Sequence, residues 1–150
     1  MRHRTIPGRG LGAGAVPLSL KRAGMNVAAV EINHAALKAA TEHFGFDPSG
    51  IKVHLEDART FVRQCRDKFD IAIVDLFLGD KVPDYLLTKE FFGDLRRCLH
   101  QRGSVVMNAF FDDNNEYNNK RLRATLGAPF PKLYIACFVR GTPFISRTAA

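Results

Sequence analysis

The amino-acid sequence predicts an α/β fold, a doubly wound Rossmann-like sheet that is mostly parallel and ends in an antiparallel hairpin. Three observations support this prediction. Short apolar, β-branched runs alternate with amphipathic helical segments along the chain. A glycine-rich turn, "GLGAG", precedes the first helical segment, and two extended segments separated by Arg140–Gly141 follow near the C-terminus. A chain of 150 residues can bury a stable core without disulfide bonds or bound metal ions, so we expect 1–150 to form a single domain.

The strands are predicted from apolar runs that stop at polar or charged residues. Parallel strands are expected near 27–31, 51–56, 70–75 and 103–109, and the hairpin near 132–139 and 143–148. "FDIAIVD" is typical of a strand buried on both faces, because its apolar run is unbroken. The stretch 1–9 is basic and contains Pro7, so we expect the first strand to be compromised or truncated.

The helices are predicted from their caps and their apolar periodicity. The first follows the glycine turn and stops at Gly24, and the second begins after Asn33 and stops at Gly45. A third is expected to start near Ala58, and Thr88 is expected to cap a fourth. One face of the second helix is predicted to hold Leu37, Ala40, Thr41 and Phe44, and one stripe of the fourth to hold Phe91, Phe92, Leu95, Cys98 and Leu99.

Composition narrows the function classes. The histidines and the three cysteines lack metal-ligand spacing, so no metal is expected, and the scattered cysteines predict reduced thiols in the cytoplasm. The sequence has no apolar run of the ~20 residues that a membrane helix needs. The net charge of +7 raises the question of whether the protein binds nucleic acid. Because the basic residues are spread along the chain without interleaved aromatics, a solvated basic surface is favoured over a dedicated nucleic-acid site.

Several candidate binding residues follow the predicted strands. In open α/β sheets, ligands bind outside the carboxyl ends of the strands. The glycine turn, with Gly10, Gly12 and Gly14, would let the backbone approach a ligand closely. Glu31 lies 21 residues after Gly10 at a strand end, where an acid can accept from ribose hydroxyls; the alternative is a charge that stabilises a helix N-terminus. Asp57 could accept from an adenine amino group or merely cap the helix that starts near Ala58.

The acid after the fourth predicted strand has two explanations. Asp75 ends "FDIAIVD", and Asp80 follows five residues later in "LFLGDKVP". A lone carboxylate at a buried strand end is costly. Asp75 is therefore interpreted either as a cap or turn residue, or as a group at the mouth of a ligand crevice.

The sequence resembles the spermidine synthase-like family of the class I methyltransferase fold. The resemblance runs from about Gly10 to the C-terminus through "LGAGAVPLSL", "VAAVEINHAALKAATEHFGF" and "VHLEDARTFV", and its most specific part is "VDLFLGDKVPDYLLTKEFF". It implies a site for S-adenosylmethionine, decarboxylated S-adenosylmethionine or methylthioadenosine, and it leaves a homodimer open. On this resemblance the glycine turn and the "EDA" segment with Ala58 bind cofactor, Glu31 binds ribose and Asp57 binds adenine.

For the fourth strand, the resemblance implies that Asp75 binds a small-molecule amine and helps to remove its proton, with Asp80 in a lesser role. The chain also departs from the family pattern. Leu78 stands where the synthases place a second acid, and their small N-terminal β-domain is not expected in this chain. The leading expectation is an aminopropyl transferase. The alternatives are a methyltransferase acting on a small molecule or RNA, a catalytically silent binding domain and, less favoured, an NAD-dependent oxidoreductase.

Overall fold

The computed structural model describes residues 4–7, 11–75, 84–108, 120, 124–127, 129–130, 133–139 and 142–148. A five-stranded sheet with helices on both faces forms most of this part of the chain. The strands are β1 (Arg4–Pro7), β2 (Asn26–Glu31), β3 (Ile51–Leu55), β4 (Phe69–Asp75), β5 (Leu99–Asn108), β6 (Leu133–Val139) and β7 (Thr142–Thr148). The helices are α1 (Ala15–Arg22), α2 (His34–His43), α3 (Ala58–Gln64) and α4 (Lys89–Cys98), with a 3₁₀ turn at Asp84–Leu86.

The main sheet has the strand order β3-β2-β1-β4-β5, and all its pairs are parallel. The chain starts in the middle of the sheet, winds out to β3, and then returns to the other side of β1. This reversal places the topological switch point between β1 and its neighbours, where open α/β sheets bind ligands. β6 and β7 form a separate antiparallel pair. The predicted fold class, a class I methyltransferase-like α/β fold, is confirmed.

The first strand is more regular than its sequence suggested. β1 pairs with β2 on one side and with β4 on the other, so it is the central strand. Pro7 is the last residue of β1 and is in register with Ile73 of β4. The expected weakness of this segment is therefore not seen in its backbone pairing.

Two hydrophobic clusters cover the two faces of the sheet. Successive residues of β2 alternate between them, with Ala28 and Val30 facing α3 and α4, and Val27 and Ala29 facing α1 and α2. This alternation follows from the two-residue period of a strand. Burial on both faces explains why β2 is an unbroken apolar run in the sequence. In β4, expected to be buried on both faces, Ala72 and Val74 are buried but Ile71 and Ile73 are only half-buried. Four residues of the predicted α4 stripe, Phe91, Phe92, Leu95 and Cys98, are buried in α4, whereas Leu99 is buried as the first residue of β5.

The predicted helix boundaries are close to those observed. Asn33 and Thr88 cap α2 and α4 with side-chain oxygens that accept from Ala35 and Phe91 N–H groups. No helix in the described part of the chain is long and apolar enough to span a bilayer.

The predicted face of α2 was wrong at its C-terminal end. Ala40 is fully buried, but Phe44 is 64% exposed because α2 ends at His43 and the chain turns at Gly45. Phe46 takes the core position instead, and its N–H donates to the Ala40 carbonyl at 3.0 Å. The fifth strand also begins at Leu99, four residues before the predicted start, with an irregular register near Phe69.

Candidate functional site

The glycine turn before α1 is shaped by both its backbone and its packing. Gly14 is the N-cap of α1 with φ of 77°, and its N–H donates to the Leu11 carbonyl at 2.6 Å. A Cβ at this position would lie 2.2 Å from Cδ2 of Phe46. Glycine is therefore required here by a left-handed conformation and by the aromatic ring that covers it. Gly12 shares the turn, with φ of 50°, whereas Gly10 lies outside the described residues.

Glu31 joins the glycine turn to the start of α2. It is the last residue of β2, and its side chain is only 4% exposed. Its Oε2 accepts from the Leu11 N–H at 3.1 Å, and its Oε1 accepts from the Asn33 N–H at 2.7 Å. These charge-assisted bonds offset the cost of burying the carboxylate. Since a carboxylate oxygen has two lone pairs, the bonds to described residues leave one on each oxygen for a further donor.

Glu31 and Asp75 lie at the same level of the sheet. Thr5 of β1 is in register with Val27 of β2 and with Ile71 of β4. Each acid lies four residues beyond that common level, at the carboxyl end of its strand. With one strand between them, their backbones are about 10 Å apart, twice the spacing of neighbouring strands. Two carboxylates thus flank the switch point, as the sequence predicted.

Asp57 caps α3, which was one of its two predicted roles. It follows β3 and starts the helix, and its Oδ1 accepts from the N–H groups of Arg59 and Thr60 at 2.9 and 3.1 Å. Its second oxygen, Oδ2, accepts from the Tyr85 hydroxyl at 3.1 Å. Ala58 is the first residue of α3, and it is buried in the core. Its small side chain therefore packs the helix start against the sheet.

Tyr85 and Arg59 join this site without a signal in the sequence. The Arg59 guanidinium donates to the Tyr85 backbone carbonyl and, at 3.2 Å, to the Thr88 hydroxyl. These bonds connect the start of α3 to the 3₁₀ turn and to the N-cap of α4. Sequence reasoning found Thr88 as a cap but missed the other two, because their partners are 26 to 29 residues away.

The carboxyl end of β5 adds a further residue beside Asp75. In the β4–β5 register, Asn108 is the partner of Asp75. The sequence predicted a strand through this position but assigned Asn108 no role. Asp80, the second predicted acid of this region, lies outside the described residues.

Charge is separated between the two edges of the sheet. The described acids at or just beyond the carboxyl ends of the strands are Glu31, Glu56, Asp57, Asp75 and Asp84. At or near the opposite edge, eight described bases lie in the last turns of helices, before strands, or in the first residues of β3 and β5: Lys21, Arg22, Lys52, Arg66, Lys68, Arg96, Arg97 and Arg102. Acids lie beside three of them, since Lys21 pairs with Asp47, Lys52 with Asp67 and Arg97 with Asp94. Cations at helix C-termini are favoured by the helix dipole. The resulting field favours a cationic ligand at the carboxyl edge.

A surface depression of about 360 Å³ lies away from these acids, lined by residues that include Asn26, Lys52, Asp67 and Phe69. It opens at the amino-terminal edge of the sheet and contains none of the predicted site residues. The candidate site therefore lies at the carboxyl ends of the strands and not in this depression. The described residues hold no group of three histidine, cysteine, aspartate or glutamate side chains arranged for a metal ion.

Comparison with known proteins identifies relatives of this chain. The family model for the spermine/spermidine synthase domain matches residues 27–138. A polyamine aminopropyltransferase from Vibrio vulnificus is 33% identical over 109 residues, which cover 67% of this chain and 36% of that protein. An N-terminal histidine N-methyltransferase from Emericella nidulans is 30% identical over 127 residues, covering 81% of this chain and 22% of that protein.

The structural comparison agrees with the fold. Human methyltransferase-like protein 13, solved in complex with SAH, superposes with a TM-score of 0.81 at 23% identity, over 99% of this chain and 72% of that one. At this identity the likeness shows the fold alone.

The chain spans about a third of the length of the curated aminopropyltransferase it matches. The family match covers most of the sheet and three of the strand-end acids, Glu31, Asp57 and Asp75. The chain therefore belongs to the spermine/spermidine synthase domain family, a family of transferases with the class I methyltransferase fold.

Proposed function

We propose that this chain binds an adenosyl sulfonium cofactor and transfers an aminopropyl group to an amine. The observation that carries the proposal is the pair of acids, Glu31 and Asp75, level with each other on either side of β1 at the switch point. Membership of the spermine/spermidine synthase domain family supports the aminopropyl group as the one transferred. Decarboxylated S-adenosylmethionine is accordingly the preferred cofactor, with methylthioadenosine as its product.

The described residues fit an adenosyl group. Glu31 has one lone pair on each oxygen after its two backbone bonds, which suits two neighbouring ribose hydroxyls. Oδ2 of Asp57 is an acceptor for an adenine amino group. Ile32 and Leu55 are apolar but 41% and 47% exposed beside these acids, so an adenine ring would cover them. When bound, the sulfonium cofactor supplies an electrophilic carbon.

Asp75 is the amine-binding residue in this proposal. Its carboxylate attracts a protonated amine and accepts the proton that the nitrogen must lose before it can attack. The acids along the carboxyl edge favour the approach of a cationic amine. Holding the amine beside the electrophile lowers the entropic part of the barrier. Asp80 is expected to draw the far ammonium of a polyamine, and this role stays a prediction from the sequence.

Methyl transfer is the second candidate. It is favoured by the 30% identity to the N-terminal histidine N-methyltransferase over 81% of this chain. The same acids would then hold S-adenosylmethionine, and Asp75 would face a nitrogen nucleophile. The assignment of 1–150 as one domain and its cytoplasmic location also stay predictions.

The test separates binding from transfer. Calorimetric titration of the wild type with S-adenosylmethionine, its decarboxylated form and methylthioadenosine identifies the preferred ligand. Glu31→Ala should weaken binding by about 1.5–3 kcal/mol, the range for hydrogen bonds to a charged group. Asp75→Asn should retain binding but abolish aminopropyl transfer to a linear diamine, because the amide keeps the shape and loses the basic lone pair.

Glu42→Gln is a matched control for these variants. Glu42 lies on the exposed side of α2, where it pairs with Lys38 at 3.9 Å, so its loss should leave binding and transfer unchanged. Equal transfer rates in wild type and Asp75→Asn would refute the amine-site assignment. Ligand binding without transfer of either group in the wild type would favour a silent binding domain.

A further inference from the structure

Two cysteines lie where α3 and α4 end. Cys65 is the C-cap of α3, and Cys98 is the last residue of α4. The two helix ends are neighbours because Leu99, which follows Cys98, is the register partner of Phe69 at the start of β4. Cys98 belongs to the hydrophobic cluster on this face of the sheet, and Cys65 packs against the same cluster. The fold therefore brings together two cysteines that are far apart in the sequence.

The side chains of these cysteines face each other. The Cys98 thiol donates to the carbonyl of Val62, in the last turn of α3, at 3.4 Å. It is also in hydrogen-bond contact with the Cys65 thiol. Both cysteines are free thiols. Since a disulfide forms readily only between cysteines whose side chains already point towards each other, this pair meets the main geometric requirement.

The two thiols differ in their access to solvent. Cys65 is half-buried and lines a surface depression of about 270 Å³ between β3 and the end of α3, where His54 and Gln64 are also exposed to the space. Cys98 is 0% exposed. Burial, together with the contact to Cys65, raises the pKa of Cys98 and keeps it protonated. A small oxidant in the depression therefore reaches Cys65 first, and Cys98 can react only with an oxidised Cys65.

We propose that Cys65 and Cys98 are a redox pair, in which a peroxide oxidises Cys65 and Cys98 then closes a disulfide that joins the ends of α3 and α4. The bond lies where β4 and β5 begin, at the opposite edge of the sheet from Glu31 and Asp75. The inference is therefore independent of the proposed function, since it involves none of the strand-end acids.

The reaction with hydrogen peroxide has two steps. The Cys65 thiolate attacks one peroxide oxygen, the O–O bond breaks, and the hydroxide that leaves combines with the Cys65 proton, which gives Cys65 sulfenic acid and water. The Cys98 sulfur then attacks the Cys65 sulfur, the S–O bond breaks, and the leaving hydroxide takes the Cys98 proton to form a second water. The two thiols are oxidised by two electrons in total, and the peroxide is reduced to water. Dithiothreitol reverses the bond by thiol–disulfide exchange.

The experiment treats the folded chain with hydrogen peroxide, blocks the remaining thiols with iodoacetamide in urea, and maps the unreduced peptides by mass spectrometry. A peptide pair joined through Cys65 and Cys98 is expected, and dithiothreitol should separate it. The oxidised protein should melt about 5–15 °C above the reduced protein, because the cross-link constrains the unfolded chain. Dithiothreitol should abolish this shift.

Variants of single cysteines provide matched controls. Cys137→Ser should form the same bond as the wild type, because Cys137 has no part in the reaction. Cys65→Ser should leave Cys98 reduced and should show no shift in melting temperature on oxidation. Cys98→Ser should stop at Cys65 sulfenic acid, which dimedone traps, whereas the wild type should not accumulate it.

Three results would overturn the inference. In the first, wild-type Cys65 is oxidised to the sulfenic or sulfinic acid while Cys98 stays reduced. In the second, Cys65 is joined to Cys137 or to a second molecule instead. In the third, the Cys65–Cys98 bond forms but lowers the melting temperature, which would show that the native fold does not accommodate it. The peptide map of the wild type decides the first two even if Cys98→Ser does not fold.

Discussion

Gly14→Ala is the substitution whose effect on the free energy of unfolding follows most directly from the structure. Gly14 combines two constraints, a left-handed backbone with φ of 77° and the Phe46 ring 2.2 Å from where a Cβ would lie. A non-glycine residue in this conformation costs about 1–2 kcal/mol, partly offset by the smaller entropy of the unfolded chain. Overpacking against the ring adds about 1–3 kcal/mol. We expect Gly14→Ala to lower the free energy of unfolding by about 2–4 kcal/mol.

The chain provides a control that isolates the backbone contribution. Gly24 has almost the same conformation, with φ of 81°, and nothing within 4 Å of a Cβ at that position. Gly24→Ala should therefore cost only about 1 kcal/mol. Urea unfolding of the two variants measures the difference directly, provided that their m-values agree. Equal destabilisation by both substitutions would show that the Phe46 ring does not limit the space at Gly14.

A double-mutant cycle with Phe46→Ala tests the contact itself. Phe46→Ala alone should cost about 3–5 kcal/mol, as expected for truncating a buried phenylalanine. In that background Gly14→Ala should cost no more than Gly24→Ala, because the clash has been removed. The coupling energy should then be about 1–3 kcal/mol. Additive costs would refute the reasoning.

Two further predictions concern ionisable groups. Hydrogen bonds from the Ser49 hydroxyl and backbone N–H, and then from Lys21, lower the pKa of Asp47 from 3.8 to about 2. The stability that this carboxylate contributes is therefore present above pH 4 and lost as the pH falls towards 2. The melting temperatures of wild type and Asp47→Asn should accordingly differ at neutral pH and converge in acid. Burial, together with a hydrogen bond to the Cys65 thiol, raises the pKa of Cys98. Iodoacetamide at pH 8 should therefore modify the half-buried Cys65 before Cys98 in the folded protein, and mass spectrometry showing equal rates at the two would contradict this. Stability should also fall as the pH rises above 9, where the unfolded thiol ionises.

Features encoded by neighbouring residues were predictable. The strands follow from unbroken apolar runs, and the caps at Asn33 and Thr88 follow from a side chain that bonds a backbone group two or three residues away. The position of Glu31 and Asp75 at the same edge of the sheet was also predictable in outline, because parallel strands bring their carboxyl ends to one edge. These patterns can be interpreted without knowing which distant residues are in contact.

Features that depend on distant contacts were not predictable. Phe44 and Phe46 are equally apolar, and only the turn after α2 decides that Phe46 enters the core and covers the glycine turn. Tyr85 reaches Asp57 across 28 residues, and no local pattern marks Tyr85 as the partner of that acid. Tertiary contacts of this kind override or add to local preferences. They are also where the structure adds most to the candidate site.

The two explanations considered for the strand-end acids are compatible with each other. Glu31 and Asp57 both accept from backbone N–H groups, which is the structural role, yet the bonds to described residues leave each an acceptor direction at the carboxyl edge. The backbone bonds fix the carboxylates in place before any ligand arrives, so binding does not include the entropic cost of ordering these side chains. A substitution at either acid will therefore change stability and affinity together.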